Sequence, residues 1–501
     1  MKMIATLIII FTWTSTIGQA IDTFNNKMLQ PSAMQEDFKY LRRLLQETHP
    51  GLYRYNTKEA MQAKMDSCEV LLNQTRSFYD FYRIIESLVA DIHCAHTYSL
   101  PLKDFQKYFT TGIKTIPFFL FPVGDKLYVL FNCTADKTIL PGFELLTING
   151  NDIEGIKKIV KRYYWADGHI ELSKNAALQG QLFDFFLYAF VERPDSFKLT
   201  FKGLSGDTII FHTAAQTFAS YTKWIKDNTA NKNMNEWYNK KRNKDPWRLS
   251  FLKDVEATAL LRFDGFGGTG QNTEEQAGSA FRNFMDKSMT EIAKAGCKNL
   301  IVDVRGNSGG WDNQGVELFT YLMRSDSAVR YYRRKYAITA SSAFLKFSDL
   351  SAEDIKNVKD ELIPEADGTF TEKEEKSPDL QLQYPKPNRF KGKVYILMDE
   401  KTFSTASEFT AAAKYNNVGI LVGQETPGAY EGGNGSSFIH LELPYSKIAV
   451  GTPLESYQMN VEERKQKGRG TIPDYIVSYT IEDVLSHTDP QLEFVKKLIR
   501  K

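Results

Sequence analysis

Val394-Tyr395-Ile396-Leu397-Met398 runs almost directly into Thr402-Phe403-Ser404-Thr405-Ala406-Ser407-Glu408-Phe409. The first five residues are a near-continuous apolar run, the pattern of a strand buried on both faces in a sheet covered by helices. The second stretch starts an amphipathic helix at about Thr405 that continues through Ala411, Ala412 and Ala413. Ser404 therefore falls at a strand-to-helix corner, beside the free N–H groups and the positive dipole end of that helix, where developing negative charge is favoured. A serine so placed is a candidate nucleophile, although serine is also a preferred N-cap.

A second apolar strand ends in a comparable turn, Leu300-Ile301-Val302-Asp303-Val304-Arg305-Gly306-Asn307-Ser308-Gly309-Gly310. Its closely spaced glycines let the backbone bend sharply and approach a ligand, so their N–H groups can point at an oxyanion. A plain strand-to-helix connection would use the same residues. Far upstream, Val89-Ala90-Asp91-Ile92-His93-Cys94-Ala95-His96-Thr97 closes a helical pattern with two histidines. Histidine is the usual base for a serine because it is largely neutral near pH 7. By chemistry alone His93 and His96 are equivalent.

Together these three stretches resemble the S41 serine peptidases, the family of the C-terminal processing proteases, the tricorn core and the interphotoreceptor retinoid-binding protein repeats. The family's His-Thr pair falls on His96-Thr97, and its Asp-x-Arg-x-Asn-x-Gly-Gly turn on Asp303 to Gly310. Its nucleophile, which follows a Thr-aromatic pair and precedes a glutamate and an aromatic, falls on Ser404 and leaves Ser407 inside the helix. Gly419 to Gly428 and the ending Gly468-Arg469-Gly470-Thr471-Ile472-Pro473-Asp474 continue the likeness in order. The resemblance implies a crotonase-like (ClpP-like) α/β core.

One departure separates branches of the family. The position that would hold the base lysine of the processing proteases is Ala429, so the chain is more similar to the tricorn and retinoid-binding-like branch, where an N-terminal histidine is the base. The tricorn serine before the histidine is replaced by Ala95, and the carboxylate that would help orient the network is Glu455, Glu462 or Glu463, with Glu462 at the expected distance downstream of Ser404. The implied activity is peptide hydrolysis through a Ser404 acyl-enzyme. His96 would act as base, and the N–H of Thr405 with that of Gly309 or Gly310 would hold the oxyanion. A noncatalytic ligand-binding relative and an esterase or amidase with the same pair are the alternatives.

The chain has 501 residues, 42% of them apolar, enough for two to four domains. Its 63 basic and 61 acidic side chains leave a formal charge of +2, which gives no footprint for nucleic acid or an anionic membrane. Met1-Lys2-Met3, an apolar stretch from Ile4 to Trp13 and the exit Gly18-Gln19-Ala20 describe a signal peptide over residues 1–20, cleaved after Ala20. The expected location is thus periplasmic or extracellular, with no later membrane-spanning segment. Cys68, Cys94, Cys133 and Cys297 allow three full disulfide pairings, but most read as free and buried. No spacing of His, Cys or carboxylates implies a metal, and nothing implies an organic cofactor.

Residues 21–105 read as a helical domain, with helices ending near His49-Pro50-Gly51 and running over about 58–72 and 78–90. Residues 106–213 read as short strands plus a helix from about Asp152, a segment that resembles the PDZ-like domain of S41 peptidases. That likeness makes Gly142 and Phe143 candidate substrate-binding residues. Residues 214–254 read as a polar linker and residues 255–501 as the catalytic core, with a charged inserted loop over about 351–391. The run Arg330-Tyr331-Tyr332-Arg333-Arg334-Lys335 reads as a strand with one wet face.

Overall fold

The computed structural model describes residues 27–102, 109–235, 245–268 and 273–501. The expected signal peptide and the basic run Asn239 to Lys244 lie outside these residues. No helix among the described residues is long and apolar enough to cross a membrane.

Three helices open the described chain. α1 (Pro31–Thr48) starts on a proline whose missing N–H costs nothing there, and it buries Met34, Phe38, Leu41, Leu44 and Leu45 on one face. α2 (Lys58–Val70) is capped by Thr57, and α3 (Phe78–Asp91) by Ser77, each hydroxyl accepting a backbone N–H of its own first turn. After α3 the chain reverses at His93, in the left-handed region at φ 58°. It passes His96 and enters the short strand β1 (Tyr98–Leu100).

A five-stranded antiparallel path follows, made of β2 (Phe118–Val123), β3 (Lys126–Asn132), β4 (Glu144–Ile148), β5 (Ser196–Lys202) and β6 (Thr208–Ala214), in the order β6-β5-β4-β3-β2. Helix α4 (Ile153–Arg162) begins on its Asp152 cap as the sequence suggested. The Phe-rich stretch before β5 departs from the strand reading. It forms a 3₁₀ turn (Glu171–Leu178), the helix α5 (Gly180–Phe186) and a single π-helical turn (Leu187–Val191). Phe183, Phe185, Phe186, Leu187 and Phe190 are buried there, an aromatic cluster that helical winding packs together.

The polar stretch after β6 also departs from its linker reading. Asn231 is fully buried, its amide pairing with both the N–H and the carbonyl of Asn132, so its polarity serves backbone satisfaction rather than solvation. Further on, β7 (Trp247–Phe251) is an edge strand of the central sheet. That sheet continues with β8 (Thr258–Phe263), then across α6 (Glu274–Lys294) to β9 (Asn299–Asp303), which leads into α7 (Asp312–Thr320).

The chain then builds a second sheet from β10 (Tyr332–Ala337), the helix α8 (Ala352–Glu361), β11 (Leu362–Pro364) and β12 (Phe370–Glu372). The region expected as a charged loop is therefore a helix with a Ser351 capping box and two paired strands. Back in the central sheet, β13 (Lys393–Met398) feeds α9 (Thr405–Tyr415) and then β14 (Ile420–Gly423). The long hairpin β15 (Asn434–Glu442) and β16 (Ala449–Met459) completes the second sheet, while β17 (Tyr475–Ile476) and α10 (Pro490–Arg500) close the chain.

The central order is β7-β8-β9-β13-β14-β17, with all neighbours parallel except β7 against β8. Helices cover it, so Leu300, Val302, Val394, Ile396 and Met398 are buried in one core while Ile301, Tyr395 and Leu397 are buried in another. The second sheet runs β11-β12-β10-β16-β15. β1 pairs antiparallel with β16, Tyr98 opposite Gly451, which stitches the segment just after His96 onto the core.

Candidate active site

Ser404 is where the sequence places it, between β13 and α9, but its backbone is unusual. At φ 54° and ψ −132° it adopts a conformation that L-residues rarely take, and its side chain makes no capping hydrogen bond. The cap reading therefore fails. Ser407 does the structural work instead. Its buried hydroxyl donates to the Thr402 carbonyl at 2.6 Å and accepts the Gly428 N–H at 3.2 Å.

The glycine turn lies directly against this corner. A Cβ on Gly309 would stand 2.6 Å from Ser404 Cβ and 3.1 Å from its Oγ, and Gly309 itself sits at φ 95°. A Cβ on Gly310 would run into the Phe266 carbonyl. Two bonds fix the turn to the Ser404 corner: Phe403 N–H donates to the Asn307 carbonyl at 2.9 Å, and Thr405 Oγ1 donates to the Gly310 carbonyl at 3.1 Å. Of the two glycines proposed as oxyanion donors, Gly309 spends its N–H on Asn307 Oδ1 at 2.9 Å. The N–H groups of Gly310 and Thr405 have no acceptor among the described residues.

His96 is brought to the same place. Its ring stacks on Phe403, the neighbour of Ser404, at 4.6 Å between centroids, with Phe438 at 5.8 Å on β15. Its Nδ1 is buried without a partner among the described residues, and no hydrogen bond there joins it to Ser404. Burial holds its pKa down to about 4, with the charge of Asp312 opposing, so the imidazole is neutral above that pH. His93 is turned elsewhere, its ring 5.0 Å from His169 and 6.3 Å from Tyr55.

The carboxylate expectation changes. Glu462 accepts the Tyr430 hydroxyl at 2.8 Å, in a group capped by Arg464 lying 3.3 Å over the Tyr430 ring. Glu463 pairs with Arg333 at 3.8 Å, and Glu455 shares a cavity with Glu372, its pKa pushed well up by burial. The acid whose charge acts on His96 is Asp312, in the first turn of α7. It accepts the Thr405 hydroxyl at 3.1 Å and faces the buried Lys335 at 3.4 Å. Sequence reading passed over Asp312 although it stands two residues after Gly310, because nothing in its spacing marks it. Lys335 is held protonated by Asp312 and Asp379, burial notwithstanding, so it has no free base form to offer Ser404.

Two further residues secure the His96 segment. His49 Nδ1 accepts the Gly51 N–H at 3.0 Å, which leaves Nε2 protonated to donate to Thr97 Oγ1 at 2.7 Å. Gly142 and Phe143, by contrast, are not free to take a peptide carboxylate. Their N–H groups go to the carbonyls of Val129 and Leu140, at 2.8 and 3.2 Å, and the Phe143 side chain is buried.

The motif's charged residues are architectural. Arg305 holds both carboxylate oxygens of Asp303 and both of Asp489, and also reaches Tyr479 and Gln491, which anchors the start of α10 beneath β9.

Residues 258–477 match the family model of peptidase family S41. The chain carries an S41 peptidase domain. By class it is a serine-type peptidase. Its α/β fold is similar over nearly its whole length to two solved structures. One is mature CPAF, at 14% identity over 94% of this chain and 96% of that one, with a TM-score of 0.58. The other is mature CPAF complexed with lactacystin, at 13% identity over 94% and 98%, with a TM-score of 0.59. No curated protein matches the chain significantly by sequence. In the S41 peptidase fold the strand-to-helix corner, the glycine turn and the His96 segment meet at one place, although some 300 residues separate the histidine from the serine.

Proposed function

We propose that this peptidase is an exported serine endopeptidase that cleaves polypeptides through a Ser404 acyl-enzyme, with His96 as general base. The observation that carries the reading is Ser404 itself: a serine in a costly backbone conformation, not capping its helix, packed against a glycine that admits no side chain. Stored strain of this kind persists only where the surroundings enforce it.

In the proposed reaction the His96 ring turns off Phe403 to meet Ser404 and takes its proton. The alkoxide attacks the scissile carbonyl, His96 passes the proton to the leaving amine, and water releases the acyl group. The N–H groups of Gly310 and Thr405 receive the oxyanion, a contribution of roughly 2.7 to 4 kcal/mol per donor. Asp312, close to His96 and bonded to Thr405, stabilises the imidazolium as it forms. With Ala429 at the lysine position and Lys335 locked in ion pairs, the chain fits the branch that uses a histidine base. Export rests on the N-terminal sequence alone, and a PDZ-like peptide-tethering role for residues 106–213 rests on resemblance.

Labelling with a fluorophosphonate, followed by mapping of the modified peptide, tests the pair. Ser404→Ala and His96→Ala should lose both labelling and peptide hydrolysis, while His93→Ala keeps both. A label on Ser407 that survives Ser404→Ala would overturn the assignment.

A further inference from the structure

The chain between α4 and the 3₁₀ turn passes beneath the His96 segment and places Asp167 there, 2% exposed. Asp167 Oδ1 accepts the N–H of Ala95, the residue before His96, at 2.7 Å. The same carboxylate faces the N–H of Ala429, and its Oδ2 lies 3.6 Å from where a Cβ on Gly433 would stand. Ala429 belongs to the turn whose Gly428 N–H is bonded to Ser407 Oγ at 3.2 Å, on the helix α9 that follows Ser404. The neighbours of Asp167 add two clips: Gly168 N–H donates to the His93 carbonyl at 3.0 Å and His169 N–H to the Gly468 carbonyl at 2.8 Å. A carboxylate from the β-rich region thus bonds to the His96 segment and packs against the turn bonded to the nucleophile helix.

We propose that Asp167 is a positioning residue for hydrolysis, its carboxylate fixing the spacing of His96 and Ser404 by tying the His96 segment to the turn bonded to the nucleophile helix. The proposal rests on the Ser404–His96 reading and adds to it a residue from outside the core domain. Asp167 touches no substrate and acts through backbone N–H groups. The arrangement also has a pH dependence. Burial pushes the Asp167 carboxyl up to about 6, against the pull of the Ala95 N–H and of Arg54.

The ionisable groups around it are Arg54 and Tyr55 after α1, Cys94 on the His96 segment and Tyr457 on β16. Glu431 lies beyond Tyr55, and the rings of His93 and His169 stand against Tyr55. Burial pushes Tyr55, Tyr457 and Cys94 up, so all three stay neutral below pH 8, and it pushes His93 down. Arg54 stays charged with its guanidinium on the carbonyls of Gly432 and Gly433, at 2.7 and 3.0 Å. As pH falls through about 6 the carboxylate becomes a weaker acceptor for the Ala95 N–H, and the register loosens.

The test measures kcat and KM per fluorophosphonate-titrated site in the full chain, from about pH 4.5 to about 8, for wild type and Asp167→Asn. Wild-type kcat should fall through one ionisation near pH 6 as the pH drops. Asp167→Asn should lose that limb and show kcat lowered by about 10- to 100-fold at neutral pH, with KM changed by less than about threefold. A residue that only supported folding would reduce the titratable fraction and leave kcat per titrated site and its pH limb intact, and that result would overturn the proposal. Should Asp167→Asn not fold, the wild-type profile decides, since a flat kcat across the range removes the proposed coupling. Absence of label on wild-type Ser404 would instead overturn the Ser404–His96 reading, and this proposal with it.

Discussion

At the scale of single residues, Ser404 is held in a region of backbone space that costs roughly 1 to 3 kcal/mol for a side chain larger than glycine. Its hydroxyl contributes no cap to offset that cost. Ser404→Gly should therefore be more stable than Ser404→Ala by about 1 kcal/mol or more, after the entropy glycine loses on folding. Denaturant midpoints of the two inactive variants decide this, and equal midpoints would mean that the corner stores no strain. The same residue shows how far sequence alone reads. The strand-to-helix corner was legible from the apolar run and the alanines, whereas the choice between cap and nucleophile was not, because it depends on a dihedral angle set by Phe403 and the Asn307 carbonyl.

At the scale of elements, α9 is tied to its surroundings by side chains that do no chemistry. Ser407 closes the loop before the helix and receives the turn after β14. Ser407→Ala leaves the buried Gly428 N–H and Thr402 carbonyl short of a partner, which should cost about 1 to 3 kcal/mol of stability. Activity per titrated Ser404 should stay near wild type at temperatures where the variant is folded. A thermal melt and an active-site titration check the two halves, and a loss of kcat per site would give Ser407 a part in the reaction. Apolar residues at helical spacing, Phe38, Leu41, Leu44 and Leu45, made α1 readable in the sequence. The helical turn over residues 171–191 was not, since its phenylalanines suit a strand as well as a helix and only their mutual packing selects winding.

At the scale of the whole molecule, buried ionisable groups give stability a direction with pH. Burial pushes Glu86 and Glu408 up to about 8, and Asp184 is also raised by burial. Between their unfolded values, near 4.5 for glutamate, and about 8 the folded state keeps protons that the unfolded chain releases, so stability falls as pH rises. His49 and His96 act oppositely. Burial holds both near 4, so between about 4 and 6.5 the unfolded chain binds protons that the folded one does not, and stability rises with pH. Above 6.5 the histidine contribution is complete and the acids remain. The melting temperature should therefore fall from pH 6.5 to 8, and Glu408→Gln should flatten part of that slope. A melting temperature that climbs across this window would contradict the assignment of neutral buried acids.

The sequence by itself determined the α/β core, the strand-to-helix corner at Ser404, the glycine turn and the place of the histidine segment after its helix, because apolar periodicity and glycines act over a few residues. It did not determine which carboxylate serves His96, which glycine N–H is free, or that Asp167 reaches the site. The glycine N–H is decided by the dihedrals of its own turn, where Asn307 claims Gly309, but the two carboxylates depend on residues far apart in the chain. Asp312 meets Thr405, and Asp167 bonds to Ala95 and faces Ala429, only once two sheets and three regions have packed. Hydrogen-bond partners across such separations carry no spacing in the sequence, so the tertiary structure alone decides them.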